Sequence, residues 1–208
     1  MAVLEKEIVD PGPELQPGLR LVLKAPRDLI DEEQFLRLCS ANGDLRLERA
    51  ATGEIIIMSP AGGESSRKNI KISAHLEIWS EKDGTGVAFD SSMGFTLPNG
   101  AVLGPDASWI RRERWDALSR KDKERFSPIC PDFVIELRSA TDRISVVRAK
   151  MREYIENGAR LGWLIDPRTK QVEVYKPNEP VKTLKEPANV SGEDVLPGFT
   201  LDLAPIWE

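Results

Sequence analysis

Histidine is almost missing from this chain of 208 residues, with His75 the single example, and cysteine is nearly as scarce, with only Cys39 and Cys130. That excludes a disulfide framework and a zinc site built from His and Cys alone. No apolar run approaches the roughly 20 residues of a membrane span. The opening segment, Met1-Ala2-Val3-Leu4-Glu5-Lys6-Glu7, lacks the layout of a signal peptide. Positive charge is not in excess: Lys+Arg is 29 against Asp+Glu 34, a net charge of −5 with a pI near 5.2. Proteins that grip duplex DNA without sequence preference carry the opposite balance, because phosphate neutralisation drives their binding. A nucleic-acid role here needs a local basic patch or a bound metal. Repeats and low-complexity segments are absent too, and the expectation is a soluble, cytoplasmic protein.

What is present is an ordinary globular balance, 40% hydrophobic and 30% charged, in a chain long enough to bury a core without staples. Residues 1–25, with Pro11, Gly12, Pro13, Pro17 and Gly18, read as an irregular arm ending in a short strand, 19–24, ahead of a single domain over 26–208. Asp31 with Gln34 three residues on predicts a capping box opening a helix that stops near Asn42-Gly43. Strands are expected over 45–51 and 54–59, joined at Thr52-Gly53, then a long helix over 64–82 closed by Gly84. Short strands follow at 87–91 and 93–97, and one more over 101–110 after the turn Pro98-Asn99-Gly100. A charged helix and loop occupy 112–128, and the pattern then runs strand 132–138, helix 143–157, strands 161–166 and 171–175. The last thirty residues read as loop apart from a strand over 199–203. This order predicts an α/β or α+β sandwich around a mixed sheet.

The informative positions are charges where the pattern calls for apolar side chains. Phe133-Val134-Ile135-Glu136-Leu137 is nearly continuous, as in a strand covered on both faces, yet Glu136 interrupts it. Either that face is solvated, or the carboxylate is paired, protonated or metal-bound. The next helix repeats the anomaly. Lys150 falls inside the stripe Val146, Val147, Met151, Tyr154, Ile155. A lysine there either snorkels to solvent or meets Glu136 at a site. A hard cation such as Mg²⁺ would require a further oxygen donor, with Asp106 and Asp132 as candidates. Asp132 shares the strand of Glu136 four positions away, roughly 13 Å, too far for shared coordination. Asp106, on a different strand, is the choice, and Asp132 reads as turn chemistry or as support behind the site.

An aspartate after proline followed by a strand-borne acidic residue resembles the PD-(D/E)XK nuclease superfamily: Pro105-Asp106, then Glu136-Leu137. Arg138 stands where that motif has lysine, and Lys150 suits a lysine moved to the following helix. The longer ordered set covers residues 53–64, from Gly53-Glu54 through Ser59-Pro60 to Glu64, then Pro131 to Ser139. It continues through Lys150, Tyr154, Gly158, Trp163, Asp166-Pro167 and Leu196-Pro197-Gly198-Phe199. Together these resemble the Uma-type family of restriction-endonuclease-like proteins over roughly residues 30–205. The resemblance implies a restriction-endonuclease-like core, a central mixed β-sheet flanked by helices, and metal-dependent hydrolysis of DNA. It implies Mg²⁺ or Mn²⁺ held by Asp106, Glu136 and the carbonyl of Leu137, with Lys150 orienting water and stabilising charge. It also gives Glu64 the role of an extra acidic residue, although a glutamate in a first helical turn is favoured by the macrodipole anyway. A homodimer is a further expectation from the fold. The competing function is a catalytically idle scaffold that binds protein or nucleic acid.

Other positions read as structural. His75 belongs on a surface and Cys39, among Phe35, Leu36 and Leu38, in a core. Asp142 is expected to cap the helix that starts at Arg143, Asp166-Pro167 to end a strand, and Ser139 to line the site. The cluster Arg111, Arg112, Arg114 with Arg120, Lys121, Lys123 and Arg125 reads either as the basic patch DNA would need or as a solvated charged segment.

Overall fold

The structure, a computed structural model, describes residues 20–26, 29–58 and 60–208. The expected arm therefore lies outside the described residues up to Leu19, and its closing strand is seen as β1 (Arg20–Leu23). The capping box forms as predicted. Asp31 accepts the Gln34 N–H at 2.7 Å and donates its own N–H to the Gln34 side chain at 2.9 Å, opening α1 (Glu32–Ala41). Phe35 of α1 packs on the hairpin of β2 (Arg46–Arg49) and β3 (Ile55–Met58), whose turn uses Gly53 at a φ of 99°. Next comes α2 (Gly63–Asp83), which buries Ile72, Leu76 and Ser80 and ends at the left-handed Gly84.

Strands β4 (Gly86–Asp90) and β5 (Phe95–Thr96) precede a break that matters for the site. The strand expected over 101–110 is two strands, β6 (Val102–Leu103) and β7 (Ala107–Arg111). Pro105 between them has no N–H to give a ladder, and the two halves join different sheets. Asp106 sits on the segment that crosses from one sheet to the other. Two short helices, α3 (Arg112–Asp116) and α4 (Arg120–Lys123), lead to β8 (Phe133–Leu137), α5 (Ile144–Glu156), β9 (Leu161–Asp166) and β10 (Gln171–Tyr175). The tail holds more structure than its composition suggests: β11 (Lys182–Lys185), β12 (Asn189–Ser191), β13 (Thr200–Asp202) and α6 (Ala204–Trp207). In β11 only Leu184 is even half-buried, which is how a charged edge strand escapes a hydrophobicity reading.

The main sheet is six-stranded and mixed, in the order β11-β10-β9-β8-β7-β4. Within it β8 and β9 are parallel, joined through α5, and the other pairs are antiparallel. A second sheet, β1-β3-β2-β6-β5, stands beside it, and β12 pairs with β13. Strand alternation sorts the core into two sides. Phe133, Ile135 and Leu137 face α2, α6 and the aromatic group of Trp163 and Phe199. Val134 faces α5 with Val147, Met151 and Tyr154, so Glu136, two residues on, points to the α5 side. Gly162 fixes how closely α5 approaches, since a Cβ there would lie 2.5 Å from the Met151 methyl. Among the described residues no helix is long and apolar enough to cross a membrane.

Candidate active site

The β7–β8 ladder pairs Ala107 with Ile135, and one further step places Asp106 beside Glu136. Two hydrogen bonds fix that juxtaposition: the Asp106 N–H donates to the Ile135 carbonyl at 3.0 Å, and the Leu137 N–H donates to Asp106 Oδ2 at 2.8 Å. The carboxylate thus takes over the ladder where β7 ends. Its other oxygen, Oδ1, accepts from Asn69 Nδ2 of α2 at 3.2 Å and lies 3.7 Å from Arg46 of β2. Asp106, Glu136 and Lys150 all line one cleft of about 880 Å³, walled by β2 and β3, the start of α2, the end of β8 and the first half of α5.

Lys150 reaches this cleft from α5 and does not snorkel to solvent. Its Nζ has three oxygens in range: Glu136 Oε1 at 2.8 Å, Glu48 Oε1 at 2.8 Å and the Gly104 carbonyl at 2.9 Å. An ammonium has three N–H donors, so Lys150 is fully occupied. Glu48, on β2, is only 5% exposed and also accepts the Gly104 N–H at 3.0 Å. Arg46 donates to the Gly104 carbonyl and stands 3.9 Å from Glu48. Tyr154 OH donates to Glu136 Oε1 at 3.3 Å. The two sheets are stitched together here by charges rather than by apolar contact.

The titration behaviour follows from this packing. Burial pushes Glu136 up to about 7; Lys150 opposes that, while the negative charges of Asp106 and Glu48 add to it. Burial also acts against ionised Glu48, yet Lys150 and Arg46 outweigh it and hold that carboxyl below its ordinary range. For Lys150 the cost of burial is overcome by Glu136 and Glu48, which keep it cationic. The site at neutral pH is therefore a charged lysine clamped between an ionised Glu48 and a Glu136 poised near half-protonation.

The donors suit a hard divalent cation. Two carboxylates on adjacent strands, close enough for their repulsion to raise one of them, and a main-chain carbonyl at Leu137 are the oxygen chemistry that Mg²⁺ or Mn²⁺ takes. Among the described residues there is no set of three or more His, Cys, Asp or Glu side chains arranged as a metal-binding group. A cation here would complete its shell with water or substrate oxygens.

The remaining predicted positions are placed as follows. Glu64 is exposed on the first turn of α2, and the α2 side chains that line the cleft are Ser65 and Asn69. Arg138, in the motif's lysine position, is turned to Asp166 at 2.6 Å and to the Asp142 carbonyl at 3.2 Å. Asp132 immediately precedes β8, at the end away from the cleft, and takes the Arg111 N–H at 2.9 Å and the Arg114 guanidinium at 2.8 Å. Asp142 does not cap α5: its carboxylate accepts the Ser139 N–H at 2.8 Å, and Arg143 is the N-cap residue without a side-chain cap. Asp166 does end β9, Ser139 lines the cleft, His75 is exposed, and Cys39 is half-buried beside Phe35. Much of the basic run is spent on structure, with Arg112 on the carbonyls of Gly84 and Gly86, Arg114 on Asp132 and Arg120 on Glu124.

Sequence reasoning missed Glu48, Arg46 and Asn69. Arg46-x-Glu48 on a hairpin strand has the pattern of a solvated face, and Asn69 is one polar residue in a polar helix. Only the closure of the second sheet over the first reveals them.

Comparisons with known proteins bear on the family and the fold. The family described as "Uma2: Putative restriction endonuclease" matches residues 32–204. Among solved structures, the chain is similar to a protein of Anabaena variabilis described as "a putative nuclease belonging to DUF820". The TM-score is 0.64 at 22% identity, over 77% of this chain and 89% of that one. At that identity the likeness speaks for the fold. No curated protein matches. On the strength of a match that spans most of its length, the chain belongs to the Uma2 family, and the likeness to the solved structure gives it a restriction-endonuclease-like fold.

Proposed function

We propose that this protein is a metal-dependent DNA endonuclease whose site comprises Asp106, Glu136, the Leu137 carbonyl and Lys150. The observation that carries the reading is Lys150 within 2.8 Å of Glu136 on a strand adjacent to Asp106, while Arg138 is engaged elsewhere. Asp106 and Glu136 would hold Mg²⁺ or Mn²⁺. Bound there, the cation supplies positive charge to the phosphate and acidifies a water molecule.

The chain's own residues do the rest. Asp106 is held by the Leu137 N–H and Asn69, so its carboxylate is fixed before any ligand arrives. Tyr154 restrains Glu136 through the same oxygen that Lys150 uses. With Glu136 given over to a cation, Lys150 would keep Glu48 and Gly104 as anchors and have one N–H free. That N–H can hold the attacking water or meet the charge that develops on the phosphate. The cationic side chains of the cleft wall are Arg20, Arg46 and Lys150. Two of these are paired, so the cleft cannot grip a polyanion by charge alone, which is the need a cation meets.

The test is nicking and linearisation of supercoiled plasmid in Mg²⁺ or Mn²⁺, with Mn²⁺ titration calorimetry in parallel, for wild type, Glu136→Gln and Asp106→Asn. Cation-dependent cleavage and binding by wild type, both lost in the two variants, is the expected result. Binding without cleavage of any DNA offered would favour the idle scaffold. Cleavage that survives in Glu136→Gln would place the chemistry elsewhere.

A further inference from the structure

Helix α2 has an outer face that its packing in the monomer leaves unexplained. Ile72, Leu76 and Ser80 turn into the core. At 100° per residue Ile70, Ala74 and Ile78 point the opposite way. Ile70 is 66% exposed and Ile78 52%, the former more than any other large apolar side chain among the described residues. Single exposed isoleucines are common, but these two belong to a pattern. Along the same face run Arg67, Ile70, Ala74, Ile78 and Glu81, all exposed, at steps of 3, 4, 4 and 3 that read the same from either end. The charges at its ends are opposite in sign. Among the described residues neither Arg67 nor Glu81 has an ion-pair partner within the chain.

A sequence that is palindromic in apolar character and antisymmetric in charge complements itself when reversed. We propose that α2 docks on α2 of a second copy of this chain, antiparallel, about a two-fold axis through Ala74. Ile70 then meets the second copy's Ile78, Arg67 meets the second copy's Glu81, and each contact occurs twice, as an isologous interface requires. Ala74 at the crossing lets the axes approach to about 8 Å, the close end of helix packing. The charge pairs fix direction: a parallel pairing would set Arg67 on Arg67 and Glu81 on Glu81. Ser65 and Asn69, the α2 residues in the cleft, lie on the opposite side of the helix, so both clefts stay open. The inference stands independently of the metal site.

Sedimentation equilibrium on the full chain tests it. Wild type is expected at twice its 23.2 kDa mass. Ala74→Arg, which puts bulk and charge at the crossing, is expected to be monomeric. Ala74 is exposed, so its core should be intact by circular dichroism, with Ile78→Lys as a second variant should Ala74→Arg fail to fold. Arg67→Glu and Glu81→Arg should each weaken association about tenfold, and the double variant, which restores both pairs with signs exchanged, should return to within about threefold of wild type. A wild type that stays monomeric up to about 100 µM, a dimer that persists in Ala74→Arg, or a double variant as weak as the singles overturns the proposal.

Discussion

Replacing Lys150 by alanine strands two carboxylates in a dry site, and that consequence can be worked through. Glu48 and Glu136 are 5% and 7% exposed, and both lose their shortest ionic contact. Removing one partner of a buried ion pair costs about 3–5 kcal/mol, because the survivor stays uncompensated. For a chain of this length each kcal/mol moves the melting temperature by about 2–4 °C, so a fall of about 6–20 °C is expected at pH 8. The loss depends on pH with a defined sign. Glu136 titrates at about 7 in the folded protein against 4.5 in a free side chain. The folded state therefore holds the extra proton between those values, and stability declines as pH rises through that window. Without Lys150 the folded pKa goes higher still, the decline steepens and extends upward, and at pH 5.5 a neutral Glu136 gives part of the loss back. Working above pH 5 avoids the acid side, where Glu48, held below its ordinary range, begins to lose its own contribution. Thermal melts followed by circular dichroism at pH 5.5, 7 and 8.5 are the assay, with Lys150→Met as the control that fills the space without the charge. Equal melting losses at all three pH values, or none, would refute the account of Lys150 as the clamp between two sheets. One practical result follows: a cleavage assay on Lys150→Ala is interpretable only at a temperature where the variant is shown to be folded.

Two further outcomes follow from the same geometry. A cation must displace the Glu136 proton, so Mn²⁺ affinity should rise about tenfold between pH 6 and pH 8; calorimetry showing a flat affinity across that range would mean Glu136 is not a donor. Arg138→Ala should melt lower through loss of its pairing with the buried Asp166, yet keep plasmid cleavage within about threefold of wild type; loss of cleavage in a folded Arg138→Ala would return the lysine's role to Arg138.

Two of the site residues legible in the sequence, Glu136 and Lys150, share one property: each breaks a periodic pattern. Glu136 interrupts an apolar strand and Lys150 an apolar stripe, and both prove to be buried because the pattern around them is right. Asp106 was legible through its proline, which also explains why the strand expected over 101–110 splits there. Glu48 breaks nothing. On a hairpin with Leu47 and Arg49 on one side, Arg46 and Glu48 form the expected polar face, and that face is buried only because β6 ties the small sheet to the segment bearing Asp106. Such long-range closure leaves no local trace. The tail was misread for a related reason, since β11 is held by pairing with β10 rather than by its own side chains.

Glu48 also resolves the difficulty of seating a permanent lysine charge in an apolar stripe. Against Glu136 alone, a buried ammonium would face a carboxyl that is half-protonated at neutral pH, and every proton taken up would leave the lysine unpaired. The second carboxylate stays ionised because Lys150 itself, then Arg46 and the Gly104 N–H on its other side, outweigh the cost of burying it. Lys150 therefore keeps one constant partner while Glu136 changes its state. That division of labour leaves Glu136 free to change its protonation state without unfolding the site, as the proposed cation binding would require. It also accounts for Glu48 sitting on the small sheet: the anchor and the exchanging group lie on opposite walls of the cleft, with the lysine between them.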